Sequence, residues 1–205
     1  MRPSPKGSRS RSASPPSAAS TPGRNDLTGP RPVLRYGNPV LRAVCVPADP
    51  GSPAVVDVLT ALWSALDAED GVGLAAPQIG VRQRILVVRT SPGRGKAVRL
   101  EMVNPRLKGS FGPQMVFEEG CLSFPGLYLP VIRPVGVEVE FFDRDGKPRT
   151  LRDRDLMARI VQHEMDHLDG GLFIDRVPRW RRFLSLPRLM GIRLSRLVKR
   201  EAVER

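Results

Sequence analysis

The chain has 205 residues, of which 40% are hydrophobic and 26% are charged. This length and composition are typical of a soluble globular protein with one core, and the chain is too short for two full domains. No apolar run is long enough to cross a bilayer, so we expect no membrane partner. The two cysteines, Cys45 and Cys121, are too few for a disulfide-built secreted scaffold, and we expect free thiols in a reducing compartment.

The net charge of +12 is concentrated at the two ends of the chain. Residues 1–35 carry +6, residues 176–205 carry +8, and residues 36–175 between them carry −2. The composition of the central part therefore gives no sign of a basic surface, and we expect no specific contact with DNA.

Residues 1–30 are rich in Ser, Pro and Arg and contain almost nothing to bury, which predicts a disordered leader. The segment lacks the apolar centre of a secretory signal. Its many Arg and Ser residues are typical of an organelle transit peptide, but its prolines oppose an amphipathic helix. We therefore predict a cytoplasmic protein, with organelle targeting as the alternative.

Apolar periodicity predicts the first elements after the leader. The stretch AVVDVLTALWSALDAEDG has a 3.6-residue apolar period, which predicts an amphipathic helix that ends near Gly71. The short apolar runs RILVV and LEMVN are of strand type. The stretch VEVEFFDRDGKPRTL alternates apolar and acidic residues and then turns at RDGK, which predicts an antiparallel hairpin.

A second helix is predicted over DRDLMARIVQHEMDHLDGG, with Asp153 or Asp155 as the N-cap and Gly170–Gly171 at its end. Because this helix is apolar on most sides, we expect it to be buried with sheet packed around it. Strand hairpins beside a few helices, without βαβ alternation, predict an α+β fold.

Residues 179–205 form a basic tail beyond a predicted catalytic domain of residues 31–178. We predict a helix with one apolar face, formed by Leu189, Ile192 or Met190, Leu197 and Val198. One interpretation is an appended helix whose charged side faces water. The other is a docking element for an anionic partner such as RNA or a membrane surface.

The only two histidines lie in the HExxH motif of VQHEMDHLDGG. A separation of four residues places the rings of His163 and His167 on one helix face, one turn apart, where both can bind one metal ion. Glu164 lies beside them and can reach a metal-bound water. The alternative is that hydrogen bonds alone satisfy both histidines.

A catalytic site of this type needs a third protein ligand. In one group of zinc proteases the third ligand is a histidine at the position that Phe173 occupies here. In another group it is a glutamate further along the chain, but the next glutamate here is Glu201, in the basic tail. The ligand must therefore come from upstream. There, Cys121 lies between a strand-like run, QMVFEE, and a Gly-bounded turn, and it is favoured over Cys45, which has apolar neighbours. A Cys-His-His set leaves a fourth position for water, and by geometry and softness it suits zinc.

Three stretches then resemble the peptide deformylase family: GVGLAAPQ at 71–78, EGCLS at 119–123 and QHEMDHLDG at 162–170. The resemblance extends over residues 31–177 and includes YGNPVLR near its start. It implies an α+β fold in which antiparallel β-sheets surround the HExxH helix, with a C-terminal helix added. It also implies removal of the N-formyl group from the initiator methionine of nascent polypeptides, with release of formate.

The resemblance also implies roles for particular residues. The metal ligands are Cys121, His163 and His167, and the metal is Fe²⁺, with Zn²⁺, Ni²⁺ or Co²⁺ as replacements. Metal-bound hydroxide attacks the formyl carbon while Glu164 acts as general base and then general acid. The oxyanion donors are the side-chain amide of Gln78 and the backbone N–H of Leu122.

Substrate-binding residues are expected around these groups. Gly71, Gly73 and Gly120 lack side chains, so substrate backbone can approach and pair with Val72 or Gly120 as a strand does. The methionine side chain needs an apolar pocket, for which the candidates are Leu156, Ile160 and Val72.

Two other functions remain open at this stage. One is a metalloprotease that uses the same Cys/His/His site. The other is a nucleic-acid- or ribosome-binding module with a vestigial metal site, which the basic ends suggest. Ribosome docking by the basic tail is also compatible with a catalytic role.

Overall fold

The computed structural model describes residues 31–90 and 98–203, with side chains up to Ser195, so the predicted leader at 1–30 lies outside the described residues. The α-helices are α1 (Pro53–Ala68), α2 (Asp155–Leu168), α3 (Arg179–Leu184) and α4 (Leu186–Val203). The strands are β1 (Gly73–Ala75), β2 (Ile85–Thr90), β3 (Val98–Gly120), β4 (Tyr128–Phe142) and β5 (Pro148–Arg154).

The predicted first helix is α1. The Ser52 side chain caps its N-terminus by accepting a hydrogen bond from the Val55 N–H at 3.4 Å, and Pro53 occupies the first turn, where its missing N–H costs nothing. The helix ends at Ala68, three residues before the expected glycine. Its apolar stripe, including Leu59, Leu62 and Leu66, is fully buried against β2.

The five strands form one antiparallel sheet in the order β1-β2-β3-β4-β5, each pairing with the next in sequence. The hairpin predicted around RDGK is β4–β5. The runs LEMVN and QMVFEE belong to one long strand, β3, whose register with β4 shifts at three places. Such shifts bend a strand and increase its twist. The described strands form one sheet, whereas the family resemblance implied several.

Helix α2 packs against β1, β2, β4 and β5, and eleven of its fourteen residues are buried. The predicted N-cap is wrong, because β5 leads directly into the helix and Arg154 occupies the cap position without a side-chain bond. The Asp153 carboxylate instead accepts from the Arg154 N–H at 2.6 Å. The predicted end is correct: Gly170 has φ +72°, and a Cβ there would lie 2.7 Å from the Arg42 carbonyl oxygen.

The basic tail is helical, as predicted, and packs on the rest of the chain. Leu189 and Ile192 are buried in a core cluster with Phe124 and Phe173, while Met190 is 61% exposed. Ile192, not Met190, therefore belongs to the apolar face. The side chains of Leu197 and Val198 lie outside the described residues, and the domain boundary at 178 stays a prediction.

None of the described helices combines the length and the hydropathy needed to cross a bilayer.

Candidate metal centre and its cavity

Cys121 lies directly after β3, in a turn that faces α2. Its sulfur and one nitrogen each of His163 and His167 all lie within 4.8 Å of one another. The Cys121 Sγ and His167 Nε2 are 3.3 Å apart. Cys45 lies elsewhere, buried in the core with its N–H bonded to the Leu168 carbonyl, and burial raises the pKa of its thiol to about 11. The structure thus brings the favoured cysteine, and not the alternative one, to the two histidines.

This donor set fits one transition-metal ion. A thiolate and two imidazoles are typical ligands of zinc and similar divalent ions, and the spacing of the three donor atoms allows one ion to contact all of them. The Nδ1 of His163 lies 3.0 Å from the Glu119 carboxylate. A hydrogen bond from Nδ1–H to that carboxylate leaves the other ring nitrogen as an acceptor that can bind a metal.

Glu119 is a buried carboxylate with four hydrogen-bond donors around it. Arg133 donates twice, at 2.7 and 2.9 Å, Arg159 donates at 2.9 Å, and His163 completes the set. Burial opposes ionisation of Glu119, but the hydrogen bonds from His163 and Arg133 outweigh it and hold its pKa far below the ordinary value. The carboxylate is therefore ionised and fixes the ring orientation of His163.

Arg133 links this carboxylate to the HExxH helix. Its Nη1 donates to Asp166 Oδ2 at 2.8 Å, and Asp166 also accepts from Arg176. The Arg133 side chain is almost completely buried, so its charge needs the two carboxylates as partners. The network joins β3, β4 and α2 beneath the metal centre.

The two histidines differ in basicity. Burial opposes protonation of His163, but its hydrogen bonds with Cys121 and Glu119 outweigh that effect and raise its pKa. Burial lowers the pKa of His167 well below its ordinary value, and the charges of His163 and Arg133 lower it further. A neutral His167 ring is suited to metal binding.

Glu164 is buried beside the centre. Burial raises the pKa of its carboxyl group to about 7, although the charges of His163 and Arg133 act in the opposite direction. Its Oε2 is buried without a hydrogen-bond partner among the described residues, as is Nδ1 of His167. An unpartnered buried carboxylate oxygen indicates a site built to receive a donor that the protein does not supply.

Gln78 lies in the short 3₁₀ turn after β1, and its side-chain amide is held at both ends. Its Oε1 accepts from the Ala75 N–H at 2.8 Å, and its Nε2 donates to Ser123 Oγ at 3.2 Å. The same Nε2 lies 3.6 Å from Cys121 Sγ. The amide NH₂ group is thereby oriented toward the candidate metal ligand Cys121.

A cavity of about 440 Å³ opens next to the centre. The predicted site residues that line it are Gly71, Val72, Gly73, Gln78, Gly120, Cys121, Leu122, Leu156, Ile160, His163 and Glu164. His167 does not line the cavity and is almost completely buried behind the other ligands. Leu156 and Val72 are half-exposed, whereas Ile160 is buried.

The three predicted glycines make room for protein side chains as well as for a substrate. A Cβ at Gly73 would lie 2.5 Å from Glu164 Oε1, and one at Gly120 would lie 2.5 Å from the Tyr128 ring. A Cβ at Gly71 would lie 2.7 Å from the side chains of Leu66 and Leu122. A larger residue at these positions would therefore clash with protein side chains, which the sequence alone did not reveal.

Sequence reasoning missed Glu119, Arg133, Arg159 and Asp166. One signal was available: Arg133 lies at an inward-facing position of β4, between Val131 and Val135, where the alternation calls for an apolar residue. Glu119 and Asp166 are part of the quoted motifs, but their burial could not be read from the motifs themselves.

Comparison with known proteins gives a consistent family. A family profile described as polypeptide deformylase matches residues 30–183. A peptide deformylase from Picosynechococcus is 50% identical over 108 residues, which are 52% of this chain and 57% of that protein. One from Thermosynechococcus vestitus is 39% identical over 155 residues, which are 75% and 82%. The chain thus spans little more than half the length of some curated relatives that it matches.

Solved structures show the same fold. A peptide deformylase from Legionella pneumophila is 35% identical, covers 84% of this chain and 99% of its own, and has a TM-score of 0.74. A peptide deformylase from Synechococcus elongatus, solved in complex with actinonin, is 34% identical with coverage of 80% and 85% and a TM-score of 0.70. The chain belongs to the polypeptide deformylase family.

Proposed function

We propose that this chain is a metallohydrolase that removes the N-formyl group from the initiator methionine of nascent polypeptides and releases formate. The observation that carries the proposal is the meeting of Cys121, His163 and His167 beside a buried glutamate, Glu164, at the wall of one cavity. Membership of the deformylase family supports it.

We propose that the three ligands hold one divalent ion on α2, which is the central metal-binding helix of the domain. The ion is Fe²⁺, as the family resemblance implies, with Zn²⁺, Ni²⁺ or Co²⁺ as substitutes. When bound, the ion supplies Lewis-acid chemistry, which polarises the formyl carbonyl and makes a neighbouring water more acidic. The thiolate of Cys121 makes an iron centre sensitive to oxygen, so the protein is best purified without air.

Glu164 transfers a proton from the attacking water to the leaving amine. It accepts a proton from the attacking water and delivers it to the amine nitrogen as the formyl C–N bond breaks. Burial supports this role, because a carboxyl group whose pKa is raised to about 7 can both take and return a proton near neutral pH.

Gln78 and Leu122 stabilise the negative charge that develops on the formyl oxygen. The Gln78 Nε2 and the Leu122 backbone N–H are the donors, and the fixed amide of Gln78 supports this role. Loss of one such donor typically costs about 10²–10³ in kcat.

The remaining cavity residues bind the peptide. Substrate backbone pairs with Val72 or Gly120 in the manner of an added strand, next to Gly71 and Gly73. The methionine side chain occupies the apolar part of the cavity between Leu156 and Ile160. A cavity of about 440 Å³ is large enough for this side chain and the residues that follow it.

Formate release from a formyl-Met peptide by anaerobically purified, metal-loaded protein tests the proposal. We expect turnover by the unsubstituted protein and loss of turnover, with metal retained, in Glu164→Ala. Undiminished formate release by Glu164→Ala would show that the role given to Glu164 is wrong.

The metalloprotease alternative uses the same ligands but is not favoured, because the family profile and the matched structures are those of deformylases. Incubation with an unformylated peptide distinguishes the two functions. We expect no internal cleavage.

We further propose that the protein acts in the cytoplasm and contacts the ribosome through its basic tail. Exposed arginines on α3 and α4, including Arg179 and Arg188, support contact with RNA. Because Leu189 and Ile192 are part of the core, removal of the tail would disturb the fold. The better test is Arg179→Glu with Arg188→Glu, which should weaken ribosome co-sedimentation in a salt-dependent way without changing peptide turnover.

A further inference from the structure

The two proposed oxyanion donors come from two separate loops. Gln78 lies in the turn after β1, and Leu122 lies in the turn between β3 and β4. In residues 31–90 and 98–203, no backbone hydrogen bond joins these loops directly. The Gln78 side chain links them through its hydrogen bond to Ser123 Oγ at 3.2 Å, and a backbone connection between the two loops must run through a third segment.

The segment at residues 31–36, which we call the N-terminal strap, bridges the two loops. The Leu34 N–H donates to the Gln78 carbonyl at 2.7 Å, and the Tyr36 N–H donates to the Ser123 carbonyl at 2.9 Å. The first bond ends on Gln78, a proposed oxyanion donor, and the second ends on Ser123, the residue after Leu122. The strap thus holds both loops with one short piece of backbone.

The strap is itself anchored on both sides. Val33 is buried in the core around α1, and the Tyr36 ring packs on Phe124 with centroids 4.9 Å apart. The Arg31 guanidinium donates to the Ile79 carbonyl at 3.2 Å. These contacts make the strap a fixed part of the domain.

Arg35 adds a side-chain connection to the second loop. Its guanidinium donates to the Leu122 carbonyl oxygen and to both oxygens of Glu69, at 2.9 and 3.3 Å. Glu69 is the C-cap residue of α1. One arginine therefore connects the Leu122 turn to the end of a buried helix.

The position of these donors matters for rate. A hydrogen-bond donor stabilises an oxyanion only at about 3 Å, and a displacement of about 1 Å can cost a hundredfold in rate. Leu122 contributes its backbone N–H, whose position follows the turn that carries it. A bond to its carbonyl oxygen restricts the rotation of the turn that carries its N–H.

We propose that Arg35 is a positioning residue for deformylation: through the Leu122 carbonyl it fixes the turn that carries the Leu122 donor. The strap and the Gln78–Ser123 hydrogen bond together hold that turn next to Gln78. This inference rests on the proposed function.

The test compares Arg35→Met with Arg42→Met. Arg42 follows the strap and makes a similar pair of contacts, to a carboxylate and a carbonyl, with Asp175 and Gly170. Three quantities are measured on metal-loaded protein: backbone hydrogen exchange over residues 121–124, metal content, and kcat and KM for a formyl-Met peptide.

We expect Arg35→Met to exchange faster over residues 121–124 and to lose about tenfold or more in kcat, with KM changed less and with metal content retained. Arg42→Met should leave both the exchange over residues 121–124 and kcat unchanged. Unchanged exchange and kcat in Arg35→Met would overturn the inference, as would a loss of activity that follows a loss of metal.

A milder variant covers the case in which Arg35→Met does not fold. Glu69→Gln leaves Arg35 in place but removes the charge that anchors it, so we expect the same changes at smaller size. No change in Glu69→Gln would also count against the inference. If the unsubstituted protein releases no formate, the proposed function fails, and the exchange comparison alone decides whether Arg35 holds the turn.

Discussion

Glu119 shows how single buried residues shape this site. Its carboxylate accepts hydrogen bonds from Arg133 and Arg159 and orients His163, so one acidic side chain compensates two buried cations and fixes a proposed metal ligand. Such partners of a ligand histidine affect metal affinity although they never contact the metal.

Substitution Glu119→Gln should therefore reduce both stability and metal affinity. Two buried arginines lose their shared counter-charge, which typically costs about 3–5 kcal/mol of folding free energy, and metal affinity should fall about 10–100-fold. Denaturant unfolding and chelator competition measure the two effects. The matched control is Glu118→Gln at the exposed neighbouring position, and equal behaviour of the two variants would contradict the role of Glu119.

Gly73→Ala should reduce activity without releasing the metal. A Cβ at this position would meet Glu164 Oε1 at 2.5 Å and Ile160 Cγ2 at 2.6 Å, so Glu164, the proposed general base, must move. We expect kcat to fall about tenfold or more. Gly109→Ala is the control, since a Cβ at Gly109 has nothing within 4 Å. If Gly73→Ala keeps full kcat, the packing of Gly73 does not position Glu164.

Much of the site could be predicted residue by residue, but its supporting network could not. The HExxH spacing predicts two metal ligands, the local sequence favours Cys121 over Cys45 as the third, and the resemblance to a family adds Gln78. Arg133 and Asp166 are 33 residues apart and bond only because β4 lies against α2. The alternation of β4 marks Arg133 as an inward-facing position, but in the sequence Asp166 looks the same as a charged residue on a solvated surface.

At the level of elements, periodicity predicted α1, α2 and the β4–β5 hairpin because each has a clear apolar pattern. It predicted the N-cap of α2 wrongly, since the strand before the helix continues to Arg154 and leaves no turn for an aspartate cap. It also divided β3 into separate strands, because the bulged central part of β3 faces solvent and carries no apolar alternation. Local pattern identifies elements, but strand pairing decides their limits.

Asp175 connects elements from the two ends of the described domain. It accepts hydrogen bonds from Arg42, near the start of the chain, and from the Leu172 N–H after α2. Burial opposes its ionisation, but the hydrogen bonds from Arg42 and Leu172 and the charges of Arg42 and Arg182 outweigh burial and lower its pKa. The ionised carboxylate therefore stabilises the fold.

Asp175→Asn should remove this stabilisation while keeping an acceptor for the Leu172 N–H. Because the pKa of Asp175 is lowered in the folded state, the unsubstituted protein should be more stable than the variant at neutral pH. The difference in unfolding free energy should be about 1 kcal/mol or less, because the ion pair is partly exposed. It should decrease below about pH 4 and disappear as pH falls through the folded-state pKa. Denaturant unfolding between pH 3 and pH 7, with Asp57→Asn as the control, measures it. A difference that stays constant with pH would contradict the ionic role.

At the scale of the whole molecule, the metal centre joins parts that are distant in the sequence. Cys121 follows the long strand β3, whereas both histidines belong to α2, 42 and more residues later. A metal bound by all three side chains therefore cross-links the sheet to the helix. Because binding to the folded state alone adds to stability, the ion should also be a structural element.

Removal of the metal should lower the thermal unfolding temperature. We expect a clear drop on chelation of the loaded protein, because a ligand present at about 100 times its Kd stabilises a fold by about 2.7 kcal/mol. Readdition should restore the unfolding temperature in the unsubstituted protein. In Cys121→Ser, chelation should change it little. A chelation effect of equal size in both proteins would indicate that the metal binds elsewhere.

The most direct test of the central claim, that Cys121, His163 and His167 bind one metal ion together, is the absorption spectrum of the Co²⁺-loaded protein. We predict a thiolate-to-cobalt charge-transfer band that persists in Cys45→Ser and is lost in Cys121→Ser. A band that survives in Cys121→Ser, or disappears in Cys45→Ser, would contradict the proposed centre and the function that depends on it.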